Sequence, residues 1–320
     1  MYRKILITGG TGSLGTALVK DILEKFPGTE ITILARNETK MSRALAKTDT
    51  NVVKGIIGDV RDRDTLTTIF PGHDLIIHAA AIKIVPVAES DPVEAFKTNV
   101  LGSLNVAQAA VESGVKRVVG ISTDKACGPT YYGQTKRLME GIFRQASLWG
   151  ETEFVLCRYG NVLRSANSIV PLFERQSNEG TPFTITDLRM TRFWLSMEDA
   201  VNLIWTTVEL AIGGQIFVPM APVMSIVDLA KTINPDNEII EIGIRPGERL
   251  HETLLIREES MHTRQNNQYK MFIIDPPWKP IDPEVHNLPF QHEYTSDSPD
   301  HWLSPDEMRE MLSKSPDFSI

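Results

Sequence analysis

Cysteine is nearly absent: Cys127 and Cys157 are the only two in 320 residues. That excludes a disulfide framework and a cysteine-based metal site, and it fits a reducing compartment such as the cytoplasm. No stretch approaches the roughly 18 apolar residues that a membrane-spanning helix needs. No basic segment precedes a cleavable apolar stretch near the N-terminus, so we expect a soluble, untargeted protein with no membrane partner. Positive charge is also short, since 33 Lys and Arg against 41 Asp and Glu leave a formal net charge of -8. This is the wrong sign for a surface built to hold nucleic acid, although a local basic pocket remains compatible with it. Repeats and low-complexity tracts are missing as well. What is present is a composition 42% hydrophobic, enough to bury a sizeable core in one large or two smaller domains and suited to a small-molecule partner.

The order of elements predicts an α/β fold. Residues 4–8 (KILIT) read as a short apolar strand, Gly9, Gly10, Gly12 and Gly15 follow at once, and Leu14, Ala17, Leu18, Ile22 and Phe26 then recur on one side of a helix. Further strands are expected at 30–36, 51–60, 74–80, 116–123 and 153–162, with helical stretches between several of them. Such alternation predicts a Rossmann-type, doubly wound parallel sheet. One helix is signposted in detail, with Asp91 as its cap, Pro92 at its first position, Glu94 three residues after the cap and Gly114 to end it. Its Val93, Phe96, Val100, Leu104 and Ala107 are expected to face the sheet. The rhythm breaks near Leu163. We therefore expect a dinucleotide-binding domain over 1–163, with later segments returning to it, and a smaller substrate-binding domain and C-terminal arm over 164–320. Seven prolines between 275 and 305 fit an extended arm packed on the surface. Ser304, Pro305 and Glu307 signal a last short helix.

The glycine turn is the first chemical motif. Gly9, Gly12 and Gly15, three apart, with Thr11, Ser13 and Leu14 between them, lie between a strand and a helix. In that context glycines let the backbone approach a pyrophosphate and the helix N-terminus offers free amides. The second strand ends in Arg36 rather than an acidic residue, so no carboxylate is evident to accept a ribose 2'-hydroxyl. Arg36, helped by Lys40, would pair instead with a 2'-phosphate, which favours NADP over NAD; the alternative is that both are solvated surface charges. Asp59 and Val60 are candidates for the adenine rim, with Asp59 as a capping residue equally open. Ala79 and Ala80, ending the fourth strand, complete the expected cofactor contacts together with Lys83.

Residues 122–136 (STDKACGPTYYGQTK) carry the second motif. Tyr132 and Lys136 are four apart, so on a helix they share a face and the ammonium can depress the phenol's pKa. Asp124 and Lys125 sit at the carboxyl end of a strand, where ligands bind in open α/β sheets. With the glycine turn and Ser122-Thr123 upstream, the arrangement reads as an oxidoreductase-like site.

These segments resemble the extended short-chain dehydrogenase/reductases. More narrowly, the chain resembles the inverting UDP-N-acetylglucosamine 4,6-dehydratases of the pseudaminic acid type. The likeness is carried by ITGGTGSLG, IGDVRD, HAAAIKIVPVAESDP, STDKA, YGQTK, RYGNV, ITDLRMTRFW, IFVP, GIRPGERLHE and WLSPDEM, nearly the whole chain. The resemblance implies a homo-oligomer acting on a UDP-sugar, with a tightly bound, recycled NADP, in polysaccharide biosynthesis. Tyr132 would take the O4 proton as hydride leaves C4, with Lys136 on the ribose. Lys125, if neutral, would remove H5, and Asp124, if protonated, would serve the departing 6-hydroxyl. A UDP-sugar 4-epimerase has no task for an Asp-Lys pair, whose bland alternative is a solvated ion pair on a loop. A catalytically silent NADP-sensing binding protein is the rival of another class.

By the same resemblance Lys83 and Pro86 line the sugar pocket, Thr123 and Asn161 hydrogen-bond the substrate, Val170 contacts it, and Arg245 and Glu248 clamp the nucleotide. Asp187, Arg189 and Arg192 read as a structural network or subunit contact, His251 as a packed or exposed histidine, and Cys127 as a thiol with nothing to activate it. No metal ligand set is present. Three departures stand out: only six residues, 126–131, separate Lys125 from Tyr132, one fewer than is usual; Ile84 stands in place of histidine; and LRSANS follows RYGNV in place of a glycine-richer stretch.

Overall fold

A computed structural model of the chain describes residues 2–286 and 288–316. Nine strands form one sheet: β1 (Lys4–Thr8), β2 (Glu30–Ala35), β3 (Val53–Ile57), β4 (Leu75–His78), β5 (Arg117–Thr123), β6 (Glu153–Tyr159), β7 (Ile216–Pro219), β8 (Thr263–Asn266) and β9 (Met271–Ile274). Their order is β8-β9-β7-β6-β5-β4-β1-β2-β3. The pairs from β3 through β7 are parallel, and β9 and β8 close the far edge antiparallel. The central strands are apolar without alternation because helices cover both faces; every residue of β4 is buried. Strand β1 pairs with both β2 and β4, so the chain order reverses there and opens a crevice at the carboxyl ends of the strands.

The expected strands agree with these to within a few residues, with one exception. The run 153–162 breaks at Gly160, and Asn161–Val162 leaves the main sheet to pair with Thr191–Leu195 in a separate three-stranded sheet. Gly160 marks the break in the sequence, but nothing local names the new partner strand.

The Asp91 helix also differs. Asp91 caps it through the Glu94 amide (3.1 Å), and helical structure runs from Pro92 to Glu112, but Lys97–Leu101 is a π turn. Val93 and Phe96 are 59% and 43% exposed, Leu104 is half-buried, and Val100 and Ala107 are buried. The additional residue in a π turn offsets the phase of everything before it, so no single 3.6-residue stripe covers both halves. The turn points Asn99 inward, where it bonds Ile82 on both backbone atoms (2.8 and 3.0 Å) and Thr135 Oγ1 (3.0 Å).

Two large hydrophobic cores result, with a small third cluster of Ala88, Ala95 and Tyr132 beside them. The larger surrounds the nine-stranded sheet and draws in residues from the second half of the chain, including Phe193, Ile204 and Phe217. The smaller gathers Leu163, Phe173, Phe183, Trp194, Leu229 and Met308, from helices Ile169–Glu179, Ile226–Ile233 and Pro305–Lys314 among others. The last helix begins with a capping box between Ser304 and Glu307.

Candidate active site

At the crevice, Gly9 has a φ of +71°, and a Cβ there would lie 2.9 Å from the Ala80 amide nitrogen, so only glycine closes this turn onto the end of β4. Helix Ser13–Lys25 starts from Gly12 with no side-chain cap. Its first-turn N–H groups thus remain available to an anion, with Thr11, Ser13 and Leu14 half-buried around them. A pyrophosphate fits this donor set. Ser13 Oγ accepts from the Ala166 amide (3.0 Å) and Lys83 Nζ donates to the Ala166 carbonyl (3.2 Å), which staples segment 163–168 against the crevice. Arg36 is half-exposed beyond β2, 3.6 Å from Asp59, with Lys40 in the adjoining helix Glu38–Leu45. Burial opposes the charge on Asp59, but hydrogen bonds from Arg61 outweigh it and hold the carboxyl below its ordinary value. Val60 is buried, and Ala80 donates its amide to Thr8 Oγ1 (3.2 Å).

Strand β5 delivers the chemistry. Thr123 ends it, Asp124–Cys127 make a 3₁₀ turn, and Thr130 caps helix Tyr131–Ala146 through the Gly133 amide (2.8 Å). The six-residue link is short enough that the Lys125 carbonyl presses on this helix: a Cβ on Gly133 would sit 1.9 Å from that oxygen. Asp124 is fully buried; its Oδ1 accepts from Thr123 Oγ1 (2.8 Å) and Lys125 Nζ (3.0 Å), while Oδ2 is buried with no hydrogen-bond partner among the described residues. Burial, reinforced by the charge of Glu252, pushes the Asp124 carboxyl up against the pull of Lys125. Burial opposes the charge on Lys125, but Asp124 and Glu252 together outweigh it and hold the ammonium above its ordinary value. Asp124 and Lys125 therefore form a pair with the carboxylate fully buried and the ammonium half-buried, rather than a solvated loop pair.

Tyr132 is pushed up to about 12 by burial, partly offset by the charge of Lys125 and a hydrogen bond with Thr123. The expected depression by Lys136 is not what the structure has. Lys136 turns its ammonium to Met139 Sδ (3.0 Å), one turn further along the helix, and burial lowers its own pKa to about 8. A side chain four residues on shares a face with Tyr132, but its long stem lets the charge choose another partner.

A cavity of about 550 Å³ opens beside this cluster. Lys125, Asn161, Arg245 and Glu248 line it, and Lys125 Nζ reaches Asn161 Oδ1 at 3.5 Å. Arg245 and Glu248 join in one turn, the Arg245 amide donating to Glu248 Oε2 (3.1 Å). Four expected contacts do not line it: Thr123 ends β5 and bonds Asp124 Oδ1 (2.8 Å), and three fall elsewhere. Val170 is buried in the smaller core while Ser168, Ile169, Pro171 and Leu172 face the cavity, because helix phase turns Val170 inward. Pro86 is exposed in the first turn of helix Val85–Ser90. Lys83 sits on the cofactor side. Ile84, the N-cap of that helix, is 40% exposed and does not line the cavity. In the LRSANS segment Arg164 and Asn167 adopt φ of 51° and 62°; Arg164 is held there by Glu174 (2.9 Å) and by the carbonyls of Leu312 and Ser315 (both 2.7 Å).

Among the cavity residues not singled out as ligand-facing from the sequence are Glu252 and Arg192. Glu252 Oε1 lies 3.3 Å from Lys125 Nζ and 3.6 Å from Arg192 Nε. Asp187 and Arg189 form an ion pair (2.7 Å) apart from this group, and His251 bonds Thr191 Oγ1 (2.8 Å). Beneath the site, fully buried Arg158 spans Glu140 of the catalytic helix (2.7 Å) and Glu259 (2.7 Å), and also reaches Cys127 Sγ (3.3 Å). Burial pushes the Cys127 thiol up to about 12, so it is no nucleophile. His78, between Thr8 (2.8 Å) and Ser103 (3.0 Å), is driven down to about 3 by burial and stays neutral.

With this geometry in view, comparison with known proteins is decisive on kinship. The family described as polysaccharide biosynthesis protein matches residues 5–274. The chain belongs to this family. A curated UDP-N-acetylglucosamine 4,6-dehydratase (inverting) of Campylobacter jejuni is 38% identical over 332 residues, covering 99% of both chains. A curated UDP-glucose 4-epimerase of Rickettsia canadensis is 38% identical over 284 residues, covering 85% of this chain and 83% of its own. Among solved structures, Pen from Bacillus thuringiensis superposes with a TM-score of 0.89 at 32% identity, covering 97% of each chain. This member of the polysaccharide biosynthesis family thus bears out both the Rossmann-type fold and the resemblance to the inverting dehydratases.

Proposed function

We propose that the protein is an NADP-dependent UDP-N-acetylglucosamine 4,6-dehydratase that inverts C5. The observation that carries this reading is fully buried Asp124 paired with half-buried Lys125 beside Tyr132, where Lys125 and Arg245 line one cavity. The end-to-end likeness to curated inverting dehydratases supports it.

The glycine turn, Arg36 and Lys136 would hold the dinucleotide. When bound, the nicotinamide supplies the hydride acceptor for C4 and the donor for C6. Tyr132 takes the O4 proton as its phenolate, the form that the charge of Lys125 and the Thr123 hydrogen bond favour against burial, and Thr123 orients that oxygen. An ammonium facing a carboxylate and an amine facing a carboxylic acid contain the same number of protons. Moving one proton along the 3.0 Å bond from Lys125 to Asp124 therefore yields an amine that removes H5 and an acid that protonates the departing 6-hydroxyl. Deep burial of Asp124, with Oδ2 unpartnered, favours the acid form. The proton restored to C5 on the opposite face balances the one Tyr132 took from O4, so Tyr132, Lys125 and Asp124 all end in the state in which they began. Arg245 binds the diphosphate, and Asn161 the sugar.

Free Cys127 and Cys157 support a cytoplasmic setting, and among the described residues no helix is long and apolar enough to cross a membrane. Exposed Val87, Val93 and Phe96 support a homo-oligomer.

The test is the mass of the product formed from UDP-N-acetylglucosamine. Loss of one water is expected, and Tyr132→Phe should slow it by about 10²–10⁴-fold. A product of unchanged mass would establish the epimerase instead, and no product at all would leave the binding-protein reading.

A further inference from the structure

The turn that carries Arg245 does not stand apart from the catalytic residues. It closes on itself, the Arg245 amide donating to Glu248 Oε2 (3.1 Å) and the Glu248 amide to the Arg245 carbonyl (3.0 Å). Gly247 has a φ of +82°, and a Cβ there would meet Thr130 Cγ2 at 3.1 Å and Glu89 Cδ at 3.2 Å. Thr130 caps the catalytic helix, and Glu89 Oε1 accepts the amide of Tyr132 (3.3 Å). Two residues on, the Arg249 stem packs on Gly128, where a Cβ would lie 3.3 Å from Arg249 Cδ. Arg249 Nη1 donates to the Cys127 carbonyl and to Thr253 Oγ1 (both 3.4 Å). The turn thus rests on Cys127, Gly128 and Thr130, inside the short link that joins Lys125 to Tyr132.

We propose that Arg249 is a positioning residue that ties the nucleotide turn 245–249 to the link between Lys125 and Tyr132, so that a diphosphate gripped by Arg245 is felt as rate at the sugar and not only as affinity. This rests on the dehydratase reading above.

Binding energy from the parts of a substrate that do not react raises kcat only where it is spent on orienting the parts that do. That requires a connection from the nucleotide end to the reacting groups, and here it is short. Arg245 and Arg249 share one turn, Arg249 reaches Cys127, and Cys127 ends the 3₁₀ turn that bears Asp124 and Lys125. The other side of the turn is anchored, because buried Arg192 donates to the carbonyls of Arg249 and Leu250 (both 3.0 Å). A displacement of the turn therefore passes to the link rather than into slack backbone. Gly128 has a φ of -121°, which any residue adopts, so what glycine supplies there is room for the arginine stem. Arg249 also faces Glu252, but Lys125 (3.3 Å) and Arg192 (3.6 Å) hold that carboxylate without it.

Arg249→Met keeps most of the stem and removes the tie. With UDP-N-acetylglucosamine, kcat for water loss should fall by about tenfold or more, with KM within about twofold of wild type. Arg245→Met should raise KM and lower kcat as well, because a loosened diphosphate no longer fixes the turn. The deciding measurement is the double variant. Its kcat should lie within about twofold of the slower single variant, since either change breaks the same connection. Losses that multiply would mark Arg249 as an independent structural part and overturn the proposal. Unchanged kcat in either single variant would overturn it too, as would a rise in KM alone for Arg249→Met, which would make Arg249 a ligand contact. Should Arg249→Met fail to fold, Gly128→Ala presses on the Arg249 stem and leaves the arginine in place; a smaller fall in kcat at unchanged KM is expected, and full turnover overturns the idea. Wild-type protein that eliminates no water would defeat the dehydratase reading instead, so the two failures are distinct.

Discussion

Gly133 offers a test in which local propensity and tertiary packing predict opposite signs. It is the third residue of the catalytic helix, counted from Tyr131, and its amide donates to the Thr130 cap. Alanine in a helix is favoured over glycine by about 1 kcal/mol, so by propensity alone Gly133→Ala should stabilise. In the fold, the new Cβ would meet the Lys125 carbonyl oxygen at 1.9 Å and the carbonyl carbon at 2.8 Å. Backbone must move by about 1 Å or more to restore an ordinary contact, and overpacking of this kind costs about 1–3 kcal/mol. The moving backbone is that of Lys125, whose ammonium is set between Asp124 and Glu252. A misplacement of about 1 Å at reacting groups costs about 10²-fold in rate. Gly133→Ala should therefore lower the unfolding midpoint and reduce kcat for water loss by about two orders of magnitude, measured by thermal unfolding and by product mass over time. A variant with a raised midpoint and full turnover would refute the claim that the short link holds Lys125 against this helix.

Two further outcomes follow from the buried and the exposed arginines. Arg158→Met strands Glu140 and Glu259 in the interior with Arg137 as their remaining ion-pair partner among the described residues. It should destabilise by about 3–5 kcal/mol in denaturant unfolding, and an unchanged midpoint would remove Arg158 from the support of the site. Arg36→Ala should weaken binding of NADP by about tenfold or more and leave NAD nearly unaffected; equal losses for both would mean that Arg36 does not read a 2'-phosphate.

Sequence and structure meet most closely where a signal is local. The glycine turn between β1 and its helix, the cap at Asp91 and the capping box at Ser304 each lie within a few residues and were legible. So was the placement of Asp124 and Lys125 at the end of β5, because a β-rich run precedes them. Local signals failed where one residue of phase matters: the π turn at Lys97–Leu101 rotates Val93 and Phe96 outward, and Val170 turns into a core that an isolated helix does not reveal. The Tyr132-Lys136 spacing correctly implies a shared face, yet the flexible lysine stem carries its charge to Met139.

Elements and the parallel sheet are written in spacing and composition, since backbone geometry and burial impose those periods on any chain with this fold, and the family is written in its motif segments. The electrostatic character of the site is not. Glu252 and Arg192 come to Lys125 from distant segments, and their proximity depends on how the three-stranded sheet and the C-terminal arm close over β5. In water, side chains so far apart in sequence scarcely influence one another. Brought together and buried, two carboxylates and one amine must divide their protons, and that division exists only in the folded protein.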